Sequence, residues 1–117
     1  MPRRGIDQSS DKVSTSFPLL PSRIGKRGVL VLPPDGKRLR FEITGEIRKF
    51  QSDLSSKIIV LERVRFDDGR IELRLAYYII GKKPRMQGKW VWGQYATFLP
   101  AGDFAAVVNE AQKLRWF

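Results

Sequence analysis

The stretch from residue 57 to residue 80 leaves this chain the least freedom. Lys57 to Phe66 is rich in branched apolar side chains, Asp67-Asp68-Gly69 supplies turn chemistry, and Ile71 to Ile80 alternates along its length. Branched residues suit an extended backbone, and a glycine-bearing turn between two such runs closes an antiparallel hairpin. The change from Ile58-Ile59-Val60-Leu61 to Val64 and Phe66 admits a bulge or a portion buried on both sides. In the second arm Ile71, Leu73, Leu75, Tyr77 and Ile79 share one face, while Glu72, Arg74, Ala76, Tyr78 and Ile80 share the other. The cleaner apolar stripe, with Tyr77, is expected in the core, and Tyr78 is expected beside Arg74 on the wet side.

The flanking segments extend this hairpin into a sheet. Gly28 to Leu32 is a short apolar strand, Pro33-Pro34-Asp35-Gly36 a tight reversal, and Arg38 to Thr44 a strand with Leu39, Phe41 and Ile43 on one face. Ile47 and Phe50 have helical spacing among Ser52-Asp53 and Ser55-Ser56, so residues 46 to 57 are expected to form a loop or a short helical turn. A last strand is expected within Lys89 to Phe98, after a loop bounded by Gly81 and Gly88. Pro100 ends that ladder, and Phe104, Val107, Val108, Ala111 and Leu114 then fall on one helical stripe. Asp103 near the start and Lys113 and Arg115 near the end suit the helix dipole. The expected fold class is α+β: a curved antiparallel β-sheet of four to five strands, with a C-terminal amphipathic helix packed on one face. The opposite face is then available for binding.

At 117 residues the chain holds one modest core, so a single domain over residues 25–117 is expected, preceded by a flexible basic, Ser- and Pro-containing arm over residues 1–24. Phe17, Leu19 and Leu20 are candidates to tether the end of that arm. The net charge of +10 favours polyanionic partners. Cysteine and histidine are absent, which removes a disulfide framework and the usual zinc-ligand clusters, and no cofactor or metal is expected. No apolar run approaches the roughly 20 residues that span a bilayer, and the amino terminus lacks the apolar core of a secretory signal. No membrane association and an intracellular location, cytoplasm or nucleoid, are expected. No nucleophile elbow or general-base arrangement stands out, so the protein is not expected to be an enzyme.

Two groups of residues carry the binding expectation. The first is cationic: Lys82, Lys83, Arg85 and Lys89 in the loop after the hairpin, with Arg40 and Arg74 in the clearest outward phase among Arg38, Arg40, Arg63, Arg65 and Arg74. Against this, Glu42, Glu62 and Glu72 lie where cross-strand ion pairs would absorb strand arginines. The second group is aromatic. Tyr78 and Tyr95 are candidates to stack on bases, and Trp90 and Trp92 are divided between stacking and burial together beneath the helix. Cations that meet phosphate and flat rings that meet unpaired bases together suit a single-stranded nucleic acid.

Gly69-Arg70-Ile71-Glu72-Leu73-Arg74 followed by Tyr77-Tyr78, and Gly88-Lys89-Trp90 leading through Phe98-Leu99-Pro100 to Phe104, resemble the turn, exposed strand, last strand and helix entry of the PC4 family of transcriptional coactivators and its bacterial relatives. The resemblance covers about residues 57–117, and a related Whirly-type fold fits comparably. It implies single-stranded DNA as ligand, a homodimer, a place in transcription, replication or repair, and binding roles for Arg74, Tyr78, Lys82, Arg85 and Lys89. An RNA-binding or ribosome-associated module and a protein–protein interaction domain are the alternatives.

Overall fold

A computed structural model describes residues 18–82, 85–93 and 96–117. Five strands form one antiparallel sheet in sequence order: β1 (Arg27–Leu32), β2 (Lys37–Gln51), β3 (Leu54–Phe66), β4 (Ile71–Ile80) and β5 (Trp90–Trp92). Among the described residues one helix, α1 (Ala101–Lys113), follows. The protein is therefore an α+β fold, a curled sheet in the form of a half-barrel with a C-terminal helix. The expected turn at Asp67-Asp68-Gly69 is present, with Gly69 at φ 90°.

Residues 46 to 51 continue β2 and are neither loop nor helical turn. Ile47 and Phe50, three residues apart in an unbroken stretch of register, face opposite sides of the strand, Ile47 in the core beneath the helix and Phe50 against the inner core. The β2–β3 register slips between Ile43 and Gly45, so one extra residue on β2 reverses which side chains face which way. Before the slip Phe41 and Ile43 lie on the face of Val64 and Phe66; after it Ile47 lies with Leu61 on the opposite face. A 15-residue strand thus feeds two cores.

The outer face carries the helix. Ile47, Ile59 and Leu61 meet Val107 and Ala111 of α1, with Leu99 and Trp116 alongside. Both helix ends are pinned. Asp103 is buried, and its Oδ2 accepts from the Ser52 backbone N–H at 2.8 Å and from Ser52 Oγ at 3.1 Å, while Lys49 Nζ lies 3.7 Å from Oδ1. At the other end Arg115 adopts φ 60°, and the Arg115 and Trp116 backbone N–H groups donate to the Gln112 and Ala111 carbonyls at 3.0 Å each. This is the Schellman arrangement, and it folds Trp116 back onto Gly45, where a Cβ would sit 2.6 Å from the indole.

The inner face is buried by the curl of the sheet. Phe41, Ile43, Val64 and Phe66 form one cluster, and Ile58, Val60 and Tyr78 another, with Leu20, Phe50, Trp90 and Trp92 packed against the second. Residues 18–24 do not behave as a free arm: Leu20 joins this core, Trp90 Nε1 donates to the Pro18 carbonyl at 2.7 Å, and Arg48 donates to the Leu20 and Pro21 carbonyls. Leu19, the other candidate tether, is 94% exposed, and residues 1–17, including Phe17, lie outside the described residues.

The last strand is shorter than expected, three residues instead of a run reaching Phe98. Gly93 ends it by passing so close to Tyr77 that a Cβ would stand 2.1 Å from the ring, and the Gly93 N–H donates to the Tyr77 carbonyl at 2.7 Å. Lys57 then holds the onward chain, donating to Thr97 Oγ1 and, at 2.8 Å, to the Phe98 carbonyl. Burial pushes the Lys57 ammonium below the usual lysine range, opposed by the Asp53 carboxylate. Two substitutions test the helix anchorage in urea unfolding. Gly45→Ala is expected to lower stability by about 1–3 kcal/mol because Trp116 must move, and Arg115→Gly to raise it by about 1 kcal/mol by relieving a left-handed non-glycine residue.

Candidate nucleic-acid interface

The candidate residues separate into an interior group and a rim group. Arg74, Tyr78, Trp90 and Trp92 belong to the interior. Arg74 does not point outward as the alternation suggested: its Nε and Nη2 donate to Glu62 Oε1 at 2.9 and 2.7 Å, and the Glu62 side chain is fully buried. The guanidinium also lies 5.0 Å from the Trp92 ring centre and 5.1 Å from that of Phe41. Arg23 approaches the same carboxylate at 3.6 Å, lies 4.8 Å from the Trp92 ring centre, and donates to Tyr78 Oη at 3.3 Å. One buried carboxylate thus gathers two guanidiniums onto two aromatic rings.

Tyr78 is a core residue and not an exposed stacking platform. It is 7% exposed and meets Trp92 edge-on at 5.2 Å. Its neighbours on β4 show the reversal: Ile71, Leu73, Leu75 and Ile79, the stripe expected inside, are 37–44% exposed on the outer face. The alternation correctly separated two faces, but the curl buries the one with fewer apolar residues because Glu62 neutralises Arg74 there. Trp90 and Trp92 are half-buried against Ile58, Val60 and Tyr78, on the face opposite the helix and not beneath it. The face opposite the helix is therefore a second core closed in part by residues 18–24, and not an open sheet surface.

The rim group consists of Lys82, Arg85 and Lys89 in the loop joining β4 to β5, all exposed. The loop doubles back on itself: the Gly81 N–H donates to the Lys89 carbonyl at 2.8 Å, and the Lys89 N–H to the Met86 carbonyl at 3.0 Å. That closure holds the cations on one short excursion at the open end of the inner face. Between Glu72 and Asp103 the sequence contains no carboxylate side chain, so nothing in that span neutralises them. Lys83 and Tyr95 lie outside the described residues.

Arg40 is exposed, as expected, but at the other end of the sheet. Its carbonyl accepts from the Asp67 N–H at 3.0 Å, and with Arg38, Leu39, Phe66 and Asp68 it lines a shallow hollow of about 300 Å³. Lys57 pairs with Ile79 and Phe41 with Phe66, so Arg40 and Lys82 stand at opposite ends of the strands. At about 3.3 Å per residue the separation is on the order of 30 Å. Of the remaining strand arginines, Arg65 follows the ion-pair alternative, 3.5 Å from Glu42, whereas Arg63 donates to the neutral Thr44 Oγ1 at 2.9 Å. Arg23, from the segment read as an arm, is the residue that sequence reasoning left out. Its signal was the carboxylate of Glu62 directly after the apolar run Ile58-Ile59-Val60-Leu61.

Among the described residues no group of three metal-ligating side chains converges, and no helix is long and apolar enough to cross a membrane. No protein-family model, curated protein or solved structure matches the chain.

The buried carboxylate makes a sharp prediction. Glu62→Gln leaves two guanidiniums facing a neutral amide, and the expected loss is about 2–3 kcal/mol in urea unfolding, reduced from a fully buried pair because both arginines are about a third exposed.

Proposed function

We propose that the protein binds single-stranded nucleic acid without catalysing a reaction, with single-stranded DNA as the ligand and a homodimer as the working form. The observation that carries this reading is the β4–β5 loop: Lys82, Arg85 and Lys89 are exposed together, in a span without carboxylates, next to Trp90 at the mouth of the aromatic inner face. Exposed cations lose little on meeting phosphate, whereas a guanidinium already committed to a buried carboxylate would have to give up that partner. Phosphate contact is therefore assigned to the loop, and Arg74 and Tyr78 are assigned to shaping the wall behind it. Single-stranded DNA rather than RNA follows from the resemblance of residues 57–117 to the coactivator family, and RNA is the alternative ligand.

A second reading, a protein–protein interaction domain, is favoured by one observation: the outward stripe of Ile71, Leu73, Leu75 and Ile79. Large exposed apolar patches are sites of association more often than ordinary surface.

Fluorescence-anisotropy titration against labelled single-stranded DNA, matched RNA and duplex DNA over a salt series separates these readings. Salt-sensitive preference for the single DNA strand is expected, and the triple variant Lys82→Ala, Arg85→Ala, Lys89→Ala is expected to flatten the log–log salt dependence by about 2, near 0.7 per lost phosphate contact. Equal salt slopes for the variant and the wild type would remove the loop from the interface. No binding to any of the three would leave the protein-partner reading.

A further inference from the structure

The two edges of the sheet are unlike. The β5 edge is three residues long and is cut off by Gly93. The β1 edge is six residues long, and Val29, Leu30 and Val31 are 38%, 41% and 52% exposed, so side chains on both faces of the strand meet solvent. Nothing from Gly28 to Pro34 carries a charge, and β1 contains no bulge or proline. A long, apolar, uncharged edge lacks the devices that keep strands from pairing with other strands.

The backbone phase says which groups are unpaired. Ile43 N–H donates to the Lys26 carbonyl, so Lys26 and the residues in phase with it, Gly28 and Leu30, turn their backbone groups toward β2. Val29 and Val31 therefore turn theirs outward. We propose that β1 of a second copy pairs antiparallel with this edge, with Leu30 opposite Leu30 on the twofold axis. Val29 of each copy then lies opposite Val31 of the other, and the outward N–H and C=O groups of both valines are satisfied across the axis. Arg27 meets the neutral end of the other strand, so no like charges oppose one another.

This pairing builds a surface that a single copy lacks. In the β1–β2 register Val29 lies beside Arg40 and Val31 beside Arg38. Across the axis each row reads Arg40, Val29, Val31 of the second copy, Arg38 of the second copy. Both arginines are exposed and make no ion pair among the described residues; Asp67 and Asp68, which share the hollow beside them, are matched to Arg27 at 3.9 Å and Arg70 at 3.7 Å. With strands about 4.8 Å apart, four arginines frame a rectangle of about 14 by 7 Å over an apolar floor. Such a frame fits successive phosphates of one nucleic-acid strand. This assignment of the ligand rests on the nucleic-acid reading above; the pairing itself does not.

Sedimentation velocity of the full chain over a concentration series tests the pairing, alongside Leu30→Lys, which sets two lysines directly opposite, and Leu30→Cys. The chain has no cysteine, so a disulfide formed on mild oxidation of Leu30→Cys reports a non-hydrogen-bonded pair at Cα spacing of about 4.5 Å. The expected result is a wild-type dimer, a Leu30→Lys monomer with unchanged circular dichroism, rapid crosslinking of Leu30→Cys, and about tenfold weaker oligothymidylate binding by the monomer. A wild type that stays monomeric, or a Leu30→Lys protein that still dimerises, overturns the pairing even if oligothymidylate binds. A dimer that depends on Leu30 but binds no oligothymidylate overturns the arginine frame as a nucleic-acid site and leaves the pairing intact.

Discussion

The register slip between Ile43 and Gly45 is the constraint on which the rest of the structure depends. A strand that alternates apolar with polar side chains without a break serves only one core, because all its apolar side chains face the same way. By reversing phase part-way, β2 gives Phe41 and Ile43 to the curled interior and Ile47 to the helix. Gly45, at the slip, leaves the space that Trp116 fills, so the same irregularity that divides the strand also fixes where the segment after the helix packs. The helix is then held at one end by Asp103, which accepts from Ser52 of the β2–β3 turn, and at the other by Trp116, and it covers the half of the outer face that the slip makes apolar.

The interior is organised around charge as much as around apolar contact. Glu62 is fully buried in the middle of β3, and a carboxylate there is tolerable only with partners that compensate its lost hydration. Arg74 supplies a two-pronged contact from β4, and Arg23 reaches in from the segment ahead of β1. Drawing Arg74 inward turns its whole face of β4 inward, Tyr78 included, and turns Ile71, Leu73, Leu75 and Ile79 out. One ion pair thus decides which side of the last long strand is core, fastens residues 18–24 to the sheet, and leaves the unmatched cations at the rim.

How far the sequence could be read follows from these two features. The hairpin from Lys57 to Ile80, the Pro33–Gly36 turn, the phase of Leu39, Phe41 and Ile43, and the helix after Pro100 were legible, because each depends on local periodicity and turn chemistry. The continuation of β2 through residues 46–51 was hidden, since Ile47 and Phe50 pack into different cores from opposite faces of the strand and their three-residue spacing mimics a helix. The orientation of β4 was hidden as well: alternation separates two faces but cannot say which is buried when a distant carboxylate reverses the cost of burying an arginine. Lys82, Arg85 and Lys89 were legible as exposed cations because the sequence around them holds no acid, and Arg40 is left exposed because the aspartates beside it are matched to Arg27 and Arg70. Arg74 and Tyr78 were misplaced for the same reason that the face was.

The central claim is that phosphates are met at the β4–β5 loop while the aromatic interior remains a closed core. Amide chemical-shift mapping of the isotopically labelled protein with oligothymidylate tests it directly. The account predicts the largest shifts at Lys82, Arg85, Met86 and Lys89, with the Tyr78 amide little changed. Shifts confined to the outer stripe from Ile71 to Ile79, or none at saturating oligonucleotide, would contradict it.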